Sequence, residues 1–279
     1  MNRLLLRSLV LFALFSSAQA ADMPMKAPLA PALSWTGFYV GGNVGGGWGN
    51  QNASYSPNDP NSAELFTAAN GGGPPSTSFR SSGALAGIQV GYNWQTNRSW
   101  LVGVETDLDW SSIKGSGSSS YLVFPTSLAL LAVSPIDEQT LWFGTVRGRF
   151  GYLPTQNLLA YFTGGFAYGD IKHTGSYINT SGTPFGVGTG AQCNSDVPCF
   201  TGSSSSIAVG WTAGAGLEYA VSQRVSIKAE YLYVSLGSTS LTETAVALPF
   251  LGSPPLSTLN ANFDHANFNV VRVGSNFRF

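Results

Sequence analysis

Beyond its first twenty residues the chain has no run of apolar residues long enough for a membrane-crossing helix. Such a helix needs about 20 of them to span roughly 30 Å of hydrocarbon, so that route through a membrane is closed. Charge is also scarce: Asp, Glu, Lys and Arg make up 10% of the residues, against roughly 25% in ordinary soluble domains. A soluble surface this poor in charge would expose broad apolar patches. The 13 basic and 14 acidic residues nearly cancel, which excludes a strongly basic face for nucleic acid. Only 2 cysteines are present, Cys193 and Cys199. Two thiolates do not complete a tetrahedral metal site, and their spacing is not that of a C-x-x-C redox pair. Both lie in a stretch rich in Gly, Ser and Pro, where an exported protein is expected to form one local disulfide. The glycine run Gly41-Gly42-Asn43-Val44-Gly45-Gly46-Gly47 lacks the Lys-Ser/Thr ending of a phosphate loop. Its glycines read instead as strand positions that allow bends and close packing.

What is abundant is glycine, with 34 residues, and aromatic side chains, at 13%. The chain opens with Arg3 and Arg7, a short apolar stretch from Ser8 to Ser17, and the small-x-small triplet Ala18-Gln19-Ala20. That three-part pattern is an export signal, residues 1–20, cut after Ala20. Residues 21–34, with Pro24, Pro28 and Pro31, read as an extended periplasmic lead-in.

From residue 35 to 279 the pattern has period 2. Eight segments stand out, at 35–49, 82–96, 99–113, 139–153, 158–172, 205–220, 224–238 and 264–279. Between them, long polar stretches (50–81, 114–138, 173–204, 239–263) alternate with tight turns at Thr96-Asn97-Arg98, Pro154-Thr155-Gln156-Asn157 and Val221-Ser222-Gln223. Short periplasmic turns and long external loops are the mark of an up-and-down membrane barrel. In lipid every backbone polar group must be paired, and a closed barrel achieves that with strands. The predicted fold is therefore all-β: an eight-stranded antiparallel transmembrane β-barrel in the cell outer membrane, with four long external loops.

Side chains alternate faces along a strand. In 99–113, Val102, Val104, Thr106, Leu108 and Trp110 share one face, and Glu105, Asp107 and Asp109 the other. In 139–153, Trp142, Val146, Phe150 and Tyr152 oppose Arg147 and Arg149. Glu218, Arg224, Lys228, Glu230 and Arg272 fall on the same non-lipid phase in the later segments. Trp35, Trp48, Tyr92, Trp94, Trp110, Tyr152, Tyr168, Tyr219 and Tyr233 sit near segment ends, where interface girdles are expected. The interior charges admit two readings. One is a salt-bridged plug, since an eight-stranded barrel is just wide enough to be filled by side chains. The other is a narrow pore whose selectivity the charges set.

Trp35-Thr36-Gly37-Phe38-Tyr39-Val40-Gly41-Gly42 resembles the first strand of the alphaproteobacterial outer-membrane immunogenic, or porin-family, small barrels. Gly91-Tyr92-Asn93-Trp94-Gln95, Gly103-Val104-Glu105-Thr106-Asp107, Gly144-Thr145-Val146-Arg147-Gly148-Arg149 and Gly214-Ala215-Gly216-Leu217-Glu218-Tyr219 follow in that family's order, as does the terminal Phe279. The resemblance covers everything from residue 35 on except the long loops. It implies a barrel similar to the membrane domain of outer membrane protein A, with Phe279 as the signal read by the barrel-assembly machinery. Some family members bind haem, and no haem motif carries over to residues of this chain. The expected role is structural or porin-like and non-enzymatic, as a monomeric surface antigen. Its expected partners are outer-membrane lipids, lipopolysaccharide and the barrel-assembly machinery, and no cofactor, metal or catalytic residue is assigned. The alternatives are a surface binder acting through the loops, or a lipid-modifying enzyme. Both would draw on His173 or His265, which otherwise read as solvated histidines at the loop bases.

Overall fold

The computed structural model describes residues 33–63, 66–67, 73–123, 130–180, 185–187, 191–193, 198–246 and 257–279. The expected export signal, 1–20, and all but the last two residues of the expected lead-in lie outside them. The strands are β1 (Gly37–Pro57), β2 (Thr77–Gln95), β3 (Trp100–Val123), β4 (Leu130–Thr155), β5 (Leu158–Asn179), β6 (Phe185–Val187), β7 (Ala191–Cys193), β8 (Pro198–Ala220), β9 (Val225–Leu236), β10 (Thr239–Ala245), β11 (Thr258–Phe263) and β12 (Ala266–Arg278). A four-residue helix, α1 (Pro60–Ala63), follows β1.

The ring runs β1-β2-β3-β4-β5-β8-β9-β12 and closes where β12 pairs back onto β1. All of these pairings are antiparallel. Beyond the membrane, β10 continues β9 and pairs with β8, while β11 continues β12 and pairs with β1, so the same eight-membered ring carries on outward. β6 and β7 form a separate small hairpin within the β5–β8 connection.

The outer surface carries an apolar belt bounded by aromatics. On β3 it runs from Trp100 to Trp110, both exposed, with Val102 and Val104 between them. That length matches the 9–11 residues a tilted strand needs to cross the apolar band. At the periplasmic end, Trp100 packs 5.1 Å from both Phe150 and Tyr152, and Tyr92 lies 4.6 Å from Phe38. At the outer end, Trp211 and Tyr233 are 5.4 Å apart.

The strands extend far past their expected ends. β1 runs to Pro57, β3 to Val123 and β5 to Asn179, β4 starts at Leu130, and β10 and β11 occupy both ends of 239–263, so much of 50–81, 114–138, 173–204 and 239–263 is strand rather than loop. The physical reason is an inversion of polarity. Above the lipid the outward face meets water and carries Asn52, Ser54, Ser116, Ser118, Thr201 and Ser203. The inward face there is mostly apolar: Ala53, Tyr55, Phe79, Ile136, Tyr177, Phe200, Leu241, Leu259 and Phe263 form one buried cluster. Two more apolar layers fill the bore below it. One contains Ile113, Phe143, Ile171, Leu232 and Phe268, and the other, at the periplasmic end, Trp35, Leu101, Leu153, Leu159 and Tyr161.

Three expected placements change. Trp35 is not a girdle residue but is fully buried inside the periplasmic end. Its Nε1 donates to the Gln156 carbonyl at 2.9 Å, and the Arg278 guanidinium lies 4.4 Å from its ring. Arg224 is exposed in the β8–β9 turn, outside the ladder that sets the inward phase. His173 is buried on the inward face of β5 rather than solvated.

Candidate functional site

β3 delivers Glu105, Asp107 and Asp109 to the bore because residues two apart share a face. β4 delivers Arg147 and Arg149, β8 Glu218, β9 Lys228 and Glu230, and β12 Arg272. All nine are buried. The structure joins them into one network. Arg147 contacts Glu105 at 2.5 Å, Asp107 at 2.8 Å and Glu230 at 3.0 Å. Arg272 contacts Asp107 and Asp109 at 2.6 Å and Glu230 at 2.7 Å. Lys228 reaches Glu105 at 3.0 Å, and Arg149 reaches Glu218 at 2.8 Å. β3 and β9 are diametrically opposite in the eight-membered ring, so the Lys228–Glu105 pair crosses the whole bore.

Several participants carry no formal charge. Tyr39 donates to Glu105 at 2.8 Å and accepts from Arg149 at 2.7 Å. Tyr161 donates to Glu230 at 3.1 Å, and its ring lies 4.0 Å under the Arg149 guanidinium. Thr145 donates to Asp107, and Ser226 and Asn276 donate to Glu218. The Asn43–Gln89–Asn276 chain continues the network around the wall. Tyr39 and Asn276 share the phase of their strands' other inward residues, a signal present in the sequence. Tyr161 lies in the one segment that is apolar on both faces, where no such signal exists. Gly45 makes room for the network: a Cβ there would meet the backbone and Cβ of Arg272.

Above the lipid the bore also holds His173 and Glu243. His173 Nε2 lies 3.3 Å from Glu138 Oε2 and 3.3 Å from Thr239 Oγ1, and its ring packs 3.8 Å from that of Phe263. It is buried on the inward face of β5, whereas His265 is exposed where β11 gives way to β12. Glu243 on β10 is buried with neither carboxylate oxygen hydrogen-bonded among the described residues. Burial pushes its carboxyl up from 4.5 to about 8. Folded protein therefore keeps a proton that unfolded protein releases between these values. Stability falls as pH rises through that window, by at most about 1.4 kcal/mol for each pH unit crossed. Replacing Glu243 with Met is expected to raise the urea midpoint above pH 8 and to flatten its slope between pH 5 and 8. Matching wild-type and variant slopes would contradict this.

Cys199 is disulfide-bonded, and Cys193, whose side chain lies outside the described residues, is the one other cysteine in the chain. Phe279 stands outward at the periplasmic rim, its N–H donating to the Phe38 carbonyl at 3.0 Å.

A family model described as the outer membrane protein beta-barrel domain matches residues 8–279. The chain is 34% identical over 270 residues to the 31 kDa outer-membrane immunogenic protein of Brucella melitensis, covering 95% of this chain and 94% of that one. It is 29% identical over 213 residues to the 22 kDa outer membrane protein of Rhizobium leguminosarum bv. viciae, covering 76% and 70%. Among solved structures, the outer membrane protein OprG from Pseudomonas aeruginosa matches with a TM-score of 0.46 at 9% identity, covering 88% of this chain and 96% of that one.

Proposed function

We propose, from the premise that this chain belongs to the outer membrane protein β-barrel family, that it is a sealed, non-conducting structural barrel of the outer membrane. One observation carries the reading: Lys228 and Glu105, on opposite walls, meet at 3.0 Å with both side chains fully buried. A water-filled pore needs a lumen of solvated charge, as in large porins. Here the bore is crossed by ion pairs, with apolar layers on both sides of them. Eight strands enclose a space that side chains of this size fill.

The same network has a structural use. Buried ion pairs contribute little net stability, because desolvation offsets most of their attraction. Their geometry is nonetheless specific, and it ties β3 to β4, β9 and β12 in one register. We assign the network to fixing barrel register and closing the bore. The function then lies in the wall and the external surface, and no group in the interior is assigned a catalytic role. Folded protein in liposomes should give no swelling with small sugars such as arabinose. Swelling at rates set by sugar size would overturn the sealed reading.

A further inference from the structure

The described basic residues fall into three sets. Five lie buried inside the barrel, and Arg98 and Arg224 occupy periplasmic turns. The remaining three, Arg80, Lys114 and Lys172, are exposed on the outward face of β2, β3 and β5. They are neighbours by register. Lys114 pairs with Gln139 of β4, and Gln139 with Lys172. Lys114 also pairs with Ser82, and Arg80 is the next outward position beyond Ser82 on β2. With strands about 4.8 Å apart, Lys114 and Lys172 stand about 10 Å from each other.

All three sit just outside the outer aromatic girdle. Lys114 is four residues past Trp110, and Lys172 four past Tyr168. Ser82, two residues from Arg80, registers with Trp48. At about 3.3 Å per residue and a tilt near 40°, four residues rise about 10 Å above the girdle. Long basic side chains reach back over such a distance while keeping their charge in the polar zone. Among the described residues, none of the three side chains is engaged in an ion pair or hydrogen bond. Asp137 and Asp170 share this outward face, and Asp170 accepts a hydrogen bond from Ser205 at 2.5 Å.

We propose that Arg80, Lys114 and Lys172 form a binding row for the phosphates of the outer-leaflet glycolipid, the bis-phosphorylated headgroup of lipopolysaccharide. The inference rests on the outer-membrane location and is independent of whether the bore conducts. Charge complementarity selects the occupant: three cations cluster at the depth where that leaflet presents its anions. Two phosphates carried on one headgroup can each engage a cation of such a row through charge-assisted hydrogen bonds.

The test titrates folded protein, in nonionic-detergent micelles with Mg²⁺, with bis-phosphorylated lipid A. Each neutralisation (Arg80→Gln, Lys114→Gln, Lys172→Gln) is expected to weaken binding about fivefold, and the triple variant about a hundredfold. Dephosphorylated lipid A is expected to bind the wild type as weakly as the triple variant binds the intact lipid. An Arg98→Gln/Arg224→Gln variant, altered at the opposite rim, should bind like wild type. Folding is checked by heat-dependent gel mobility, and if the triple variant does not fold, the single variants carry the test. The proposal is overturned if the row variants bind like wild type, or if the periplasmic-turn variant loses as much. It is also overturned if inorganic phosphate competes at the lipid's own concentration.

Discussion

Replacing Arg272 with Met is expected to lower the unfolding free energy by about 3–5 kcal/mol, the cost of leaving buried charge uncompensated. Arg272 hydrogen-bonds Glu230 through Nε at 2.8 Å, and Asp109 and Asp107 through its two terminal nitrogens at 2.6 Å. Asp109 has no other ion-pair partner among the described residues. Removing the guanidinium leaves three acids packed together in a closed bore. Adding Asp109→Leu to Arg272→Met removes the orphaned partner as well. Replacing both members of a buried pair with apolar groups is often neutral or stabilising, so the double variant should recover at least half of the loss. Urea titration of the folded barrel, followed by gel mobility, measures both. A single variant as stable as wild type, or a double variant no better than the single, would show that the charges are not coupled as the distances imply.

Replacing Trp35 with Ala should cost a similar amount, about 3–5 kcal/mol, by emptying a large buried site. Trp35 is fully buried against Leu101, Leu153, Leu159 and Tyr161. The substitution also removes the Nε1 bond to the Gln156 carbonyl and the ring beneath the Arg278 guanidinium. Trp35→Phe keeps most of the apolar volume and a ring under Arg278, and should lose only about 1 kcal/mol for the missing hydrogen bond. Equal losses for Ala and Phe would place the energy in the polar contact rather than in packing. A lipid-facing Trp35 would predict a small effect for both.

These two residues also show what the sequence makes legible. Glu105, Asp107, Asp109, Arg147 and Arg149 are readable as interior residues because each alternates with Val, Leu, Phe or Trp facing lipid. Strand order and the three tight turns follow from the same alternation. Trp35 defeats that logic. It precedes β1 at the rim, where an aromatic suits either the interface or the end of the bore, and only the partners contributed by Arg278 and Gln156 decide. The outward extensions of β1, β3 and β5 are hidden for another reason. Their apolar residues face in and their Ser, Asn and Thr face out, so they resemble polar loop to a reading tuned to lipid. His173 and Glu243 are invisible as buried groups for the same cause: their burial depends on that upper core. Cross-bore pairs such as Lys228 with Glu105 depend on register and ring size together, which no single segment contains.

Single-channel recording in planar bilayers tests the sealed bore most directly. Folded wild-type protein, inserted and confirmed by gel mobility, is expected to give no unitary conductance steps at either polarity across a moderate voltage range. Reproducible steps of constant size, sensitive to Lys228→Gln or Arg272→Met, would contradict the sealed bore and make the charge network the lining of a pore.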